Sequence, residues 1–464
     1  MIKAAALGCF LPILLSLSAV AQERLTVLSP HWEGIRYEFE RAFKRRYLME
    51  EGASISFVWL DVGATSEIVR FVEAEFQRKA EGIGVDLVFG GGIDPFEEFK
   101  RKSLLVQHRL PEELLRVVPP AVGGSPLYDG DFFWYAPTMS VFGIICNEVV
   151  LRRLKLNPPR NWEDLTKPEY FSWITLADPR KSGSAHMAYE IILQAYGWEE
   201  GWRILYALAG NARSVVAHAS QAAKDVADGE AACSLVIDSS ARALMRLVKA
   251  DEMSFIIPAD ATVINGDGLA ILKGAPNLKA AKKFLEFMLS EEAQKIWLYK
   301  AGLPGGPARY TLSRFAVLPS LYKDLGEKSE IQVNPFEWQA KFRYDASKGS
   351  RRWNALNYLL GVFLLDSQPE LYSRRRIDLA SGAASRGPVK DAWTAPLEEE
   401  VLNEMAANNS FDDPLAKNQI IQEWRKKAAV FFPPSKRIGY WLQIIPLLLI
   451  ALLFAGWTIF LRYR

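Results

Sequence analysis

From Arg24 to about Pro335, short apolar runs of strand length alternate with amphipathic runs of helix length, and no other feature constrains the fold as tightly. LTVLS (25–29) reads as a strand, Ile35–Arg46 as a helix, and SISFVWL (54–60) as a second strand. A helix opens at Thr65-Ser66-Glu67, and VDLVFG (85–90) is a third strand ending in Gly90-Gly91-Gly92. Further strands are expected at Trp134–Cys146, Ile174–Leu176, Ser214–Val216, Cys233–Ile237, Phe255–Ile257 and Gly268–Leu272. Helices are expected at 184–196, 198–208, 220–228, 279–289 and 291–300. Strand–helix–strand repeats of this kind build an α/β fold, with a parallel or mixed sheet covered by helices on its faces.

Composition narrows the function class. The 464 residues are 50% hydrophobic and 24% charged, an ordinary globular balance that excludes a disordered or fibrous chain. Fifty-six Lys and Arg against 54 Asp and Glu leave a net charge of +2, without the basic excess of a nucleic-acid binder.

Both ends carry membrane signals. Lys3, the apolar run Ala4–Leu17 and the closing Ala19-Val20-Ala21 read as a signal peptide over 1–21, cleaved before Gln22. Residues 438–461 contain no formal charge and are flanked by Lys436, Arg437, Arg462 and Arg464. At ~1.5 Å per residue this run reaches about 36 Å, enough to cross a hydrocarbon core of ~30 Å. Tyr440, Trp441 and Trp457 sit near its ends, where amphipathic rings favour the headgroup region. The expectation is an exported domain on the periplasmic or extracellular face, held by one C-terminal transmembrane helix.

Cys146 and Cys233 lie in strand-like apolar runs and read as two small buried thiols, with a single disulfide as the other reading in an oxidising compartment. Beyond about Thr311 the alternation stops. Residues 311–435 read as a helical extension, with helices at 351–365, 397–407 and 418–430, and Arg374-Arg375-Arg376 as a solvated face.

Catalytic and cofactor fingerprints are missing from the sequence. A dinucleotide fingerprint starting at Gly90 would need glycine where Pro95 stands; phosphate-loop, zinc-protease and nucleophile-elbow patterns do not occur. The four histidines have no shared metal-binding spacing. No cofactor and no metal are expected. What remains is a set of polar loops at strand ends, where open α/β sheets collect ligands. They carry Ser29 and His31; Gly91 and Gly92; Ser182, Gly183 and Ser184; Asp238 and Ser239; Asn265 and Asp267. Each has a plainer reading: an N-cap for Ser182, a tight turn for the glycines, a turn for Asn265-Gly266-Asp267, a surface histidine for His31.

Three segments carry a resemblance: VDLVFGGGIDPFEEF (85–99), ADPRKSGSAHMAY (177–189) and NGDGLAILKGAPNLKAAKKFLEFMLSEEAQKIW (265–297). From Leu25 to Leu303 the chain resembles the extracellular solute-binding proteins of ABC transporters, in the branch of ferric iron, thiamine, polyamine and aminoethylphosphonate binders. The resemblance implies a two-lobed periplasmic-binding-protein type II fold with ligand in the cleft. The expected lobes are 24–137 with 258–310, and 138–257, joined by crossovers near Pro137–Ser140 and Pro258–Asn265. Ferric binders use adjacent tyrosines where this chain has Ser239-Ser240, and a serine hydroxyl cannot replace tyrosinate on Fe³⁺. Serines, glycine amides and helix N-termini suit a small polar anion. The function implied is capture of that solute by a monomer and delivery to an ABC permease, with no bond broken. A sensory receptor using the same lobes is the alternative. A secreted hydrolase stands third, since it needs a nucleophile and base in one pocket.

Overall fold

Apolar alternation becomes strands and amphipathic runs become helices throughout the computed structural model, which describes residues 23–249, 251–258, 260–338, 341–382 and 394–433. The signal peptide expected at 1–21 and the span expected at 438–461 lie outside the described residues. Among the described residues no helix is long and apolar enough to cross a membrane.

The first part runs β1 (Glu23–Leu28), α1 (Glu33–Glu51), β2 (Ile55–Leu60), α2 (Thr65–Arg78), β3 (Leu87–Phe89), α3 (Asp94–Arg101) and α4 (Glu112–Leu115). A short ladder, β4 (Ala121–Val122) and β5 (Ser125–Pro126), precedes the long strand β6 (Tyr135–Asn147). Then follow α5 (Glu148–Leu154), β7 (Ile174–Ala177), α6 (Gly183–Tyr196), α7 (Trp198–Asn211) and β8 (Ala212–Val216). Next come α8 (Ala219–Ala227), β9 (Cys233–Ile237), α9 (Asp238–Met245), β10 (Met253–Ile256), β11 (Ile264–Ile271), α10 (Leu278–Met288) and α11 (Glu291–Leu298). After irregular chain with short 3₁₀ turns come α12 (Ala346–Leu360), α13 (Gln368–Ala380), α14 (Glu399–Ala407) and α15 (Pro414–Phe431), so the extension expected to be helical over 311–435 is α-helical, among the described residues, only from Ala346 on.

Strand order is β2-β1-β3-β11-β6-β9-β7-β8, with β10 also on β6. Pairs β1–β2, β1–β3, β7–β8 and β7–β9 are parallel, while those made by β6 and β11 are antiparallel. β6 organises the molecule. Residues up to Val141 pair with β11, and those from Phe142 onward pair with β9 and β10. The apolar core divides at the same point. Of the two large clusters, one gathers 25–141 with 264–331 and the other 142–263 with 344–432, and a third, small one around Ile145, Val226 and Val236 lies within 142–263. Residues 312–331 therefore pack into the first core, whereas α12–α15 cover the second.

Four local expectations change. Asn265-Gly266-Asp267 is not a turn but the interior of β11, paired with Ser140, Met139 and Thr138. A Cβ on Gly266 would meet Ala136 at 2.6 Å, and one on Gly268 the Phe96 ring at 2.3 Å. Glycine is needed there for close packing, which overrides its turn preference. Asp238-Ser239-Ser240 is not a loop but the first turn of α9. Cys146 and Cys233 are not free thiols. They face each other across β6 and β9 and are bonded. The arginine triplet is not uniformly solvated, because Arg375 is buried and donates to Asn211 Oδ1 at 3.0 Å and the Thr166 carbonyl at 2.7 Å.

Candidate functional site

A cavity of about 960 Å³ opens between the two cores, beneath the point where β6 passes from one to the other. Its lining includes His31, Gly91, Gly92, Ser182, Gly183, Ser184, Ser239, Asn265 and Asp267, so nine of the sequence candidates come together in one place. Ser29 and Asp238 stay behind the wall, both fully buried. The Ser29 hydroxyl accepts from the His31 N–H at 3.2 Å. Asp238 Oδ1 accepts from the Val141 N–H at 3.3 Å, and burial raises its pKa.

Asp267 organises the floor. Its Oδ1 accepts from the amides of Gly91 at 2.7 Å and Gly92 at 3.1 Å, and its Oδ2 lies 2.9 Å from Arg314 Nη1. Burial by itself would raise this carboxyl, but the Arg314 guanidinium, His31 and the two glycine amides hold it below the ordinary range. Arg314 also donates to Ser140 Oγ at 3.0 Å, tying β6 to the floor. His31 is edge-on to Phe89, and burial pushes its pKa down to about 4 against the pull of Asp267, so the ring is neutral near pH 7.

Three lining side chains carry a buried polar atom with no hydrogen-bond partner: His31 Nε2, Asn265 Nδ2 and Arg314 Nε. Buried polar atoms are rarely left so. The same cavity is lined by the N-terminal ends of four helices: Ala64 and Thr65 of α2, Ser182–Ser184 of α6, His218–Ser220 of α8, and Ser239 and Ser240 of α9. Helix N-termini present free amides and partial positive charge. Both acids of the lining are already paired, Asp267 with Arg314 and Asp61 with Arg36 at 2.7 Å.

Two of the candidate glycines do more than line the cavity. Gly91, at φ +107°, and Gly183 lie on either side of Thr65, where an added Cβ would sit 2.9 Å and 2.6 Å from its side chain. Gly183 belongs to the second core's α6 and Thr65 to the first core's α2, so the walls touch here. Ser182 Oγ accepts from the amides of Ala185 at 3.4 Å and Ala219 at 3.3 Å, capping α6 and α8 together. The N-cap reading of Ser182 therefore holds alongside its place in the cavity.

Sequence reasoning did not nominate Thr65, Ser140, Ser220, Arg314 or the aromatic pair Trp32 and Tyr310, all of which line the cavity. Thr65 and Ser220 had an available signal, the opening of a helix after a strand. Arg314 had none, since it reaches Asp267 from the irregular chain after α11. Serines and two histidines share the cavity, but no serine hydroxyl bonds the imidazole of His31 or His218 among the described residues. Nor do three His, Cys, Asp or Glu side chains gather as a metal site there.

Comparison with known proteins bears on the fold and the family. Phosphoglycerate transport regulatory protein PgtC of Salmonella typhimurium is 27% identical over 220 residues, 47% of this chain and 52% of PgtC. The match thus spans about half the length of that relative. Among solved structures, the periplasmic binding protein AfuA of Actinobacillus pleuropneumoniae, with fructose-6-phosphate bound, superposes with TM-score 0.55 at 22% identity. That match covers 69% of this chain and 95% of AfuA. Iron-bound HitA of Pseudomonas aeruginosa gives TM-score 0.55 at 18% identity, over 73% of this chain and 99% of HitA. These likenesses establish the α/β periplasmic-binding-protein fold with its curled mixed sheet. The family model of the bacterial extracellular solute-binding proteins matches residues 84–321, half of the chain, and the protein belongs to that family of ABC-type transport.

Proposed function

We propose that the protein captures a small polar anion in the cavity between its cores and hands it, by hinge opening, to an ABC permease. The observation that carries this reading is a cavity lined both by four helix N-termini and by residues with unpartnered buried donors, whose two acids are already paired. An anion satisfies Asn265 Nδ2 and Arg314 Nε and meets the helix ends with complementary charge. The moving bodies are 24–137 with 258–310 and 138–257, a division supported by the split of the core at β6. The protein works as a monomer on the outer side of the cell membrane, exported by 1–21 and tethered by 438–461. Deleting everything after Pro433 should leave it in the supernatant after a carbonate wash; pelleting of that truncated chain would refute the single tether.

A second reading, sensing, draws support from the similarity to PgtC, which is named a transport regulatory protein. In that case the bound state signals through a membrane partner. Calorimetric titration with inorganic phosphate tests the anion reading common to both. Wild-type protein should bind, and Gly183→Asp, which adds a like charge and collides with Thr65, should lose at least ~10-fold in affinity, about 1.4 kcal/mol. Equal binding by the variant would remove this loop from the site.

A further inference from the structure

Part of the cavity's lining is aromatic. Trp32, the N-cap of α1, lines it with 49% of its surface exposed. Its ring stands edge-on to Tyr310 at 5.3 Å between centroids, and Tyr310 stands edge-on to Tyr37 at 5.7 Å. An exposed tryptophan at a cleft mouth is unusual in a chain with ample core to bury it. This one is also held in place from behind.

That support comes from Glu38 of α1, which is almost fully buried. It spends its carboxylate on three consecutive backbone amides: Oε2 accepts from Ala308 at 2.7 Å, and Oε1 from Arg309 at 2.6 Å and Tyr310 at 2.8 Å. A buried carboxylate is costly unless so satisfied. Here it fixes the 308–310 loop against α1 and thereby sets Tyr310 behind Trp32. The Arg309 guanidinium covers the Tyr310 ring at 4.9 Å. The result is a rigid aromatic shelf beside a polar cradle.

Size points the same way. Thr65 already touches Gly183 across the cleft, yet about 960 Å³ remains. That lies at the upper end of the ~300–1,000 Å³ pockets that enclose drug-sized ligands. A bare oxyanion or a three-carbon acid would fill a small part of it.

Resting on the anion reading above, we infer that Trp32, backed by Tyr310, is a stacking platform for the organic body of the ligand. The natural solute is then an acid or phosphomonoester that carries a ring-sized flat face. Its charged group sits on the helix ends and its body lies against the indole. Trp32 sets specificity, and Glu38 is a positioning residue.

Calorimetry on the full chain with two probes, inorganic phosphate and phenyl phosphate, tests this. Wild-type protein should bind phenyl phosphate at least ~10-fold more tightly than inorganic phosphate, about 1.4 kcal/mol. Trp32→Ala should erase that preference, so that its affinities for the two probes lie within about twofold of each other, while Trp32→Phe keeps most of the preference. Melting curves check that the variants fold. Equal affinity for the two probes in the wild type, or a Trp32→Ala variant that keeps the preference, overturns the platform while the anion reading stands. If the wild type binds neither probe, the anion reading falls and the platform with it.

Discussion

At the scale of single residues, the cavity floor depends on one buried charge. Asp267 holds two glycine amides and Arg314, and Arg314 is itself only 5% exposed. Asp267→Asn would leave that guanidinium buried without its counter-charge, a change that costs ~3–5 kcal/mol in comparable buried pairs. Thermal or chemical melting should therefore fall sharply, and a variant as stable as the wild type would contradict the pairing. Asp267 could be nominated from sequence, because it sits beside Asn265 and Gly266 near a strand. Its partner could not: Arg314 lies in irregular chain, and only the fold brings the two together. Likewise Gly91 and Gly183 were legible as glycines near a ligand. That Thr65 fills the space between them was not, since it depends on how two distant loops meet.

At the scale of elements, the polar positions serve structure and site at once. Ser182 Oγ accepts amides from both α6 and α8, so Ser182→Ala should lower stability by ~1–2 kcal/mol, more than an ordinary single cap. A variant with unchanged melting would mean that water replaces it. The junction of α3 and α12 gives a pH signature. Asp94, the first residue of α3, accepts from the Tyr344 hydroxyl at 3.0 Å, and its Oδ2 has no partner. Burial first, and then the nearby Glu190 charge, push its carboxyl up to about 7 despite the Tyr344 hydrogen bond. The folded state then holds this proton more tightly than the unfolded chain, so stability falls as pH rises from about 4 to about 7. Asp94→Asn keeps an acceptor for Tyr344 without the charge. It should remove that fall and stabilise the protein above pH 7 on the order of 2–4 kcal/mol. Parallel pH profiles for the two proteins would contradict the assignment. Strand and helix periods exposed most elements in the sequence, because burial on one face leaves a regular pattern. The first half of β11 and the start of α9 escaped, since Asn, Gly, Asp and Ser favour turns locally. Their places are decided by packing against Phe96 and Ala136 and by the β6 ladder.

At the scale of the molecule, β6 is common to both cores, and the helices after residue 344 bind the second core while reaching the first through Tyr344 and Asp94. The disulfide between Cys146 and Cys233 fixes β9 to β6 within the second core. The α/β class and the polar positions that line the cavity could be read from the chain. The aromatic shelf and the Arg314–Asp267 pair could not, because both join segments more than forty positions apart. The central claim is that this cavity holds an anion. Mass spectrometry of small molecules released from the freshly purified full chain tests it most directly. The account predicts one acidic solute near one per protein, greatly reduced in Gly183→Asp. A neutral or cationic solute at that ratio, or an acidic one retained unchanged by the variant, would contradict it.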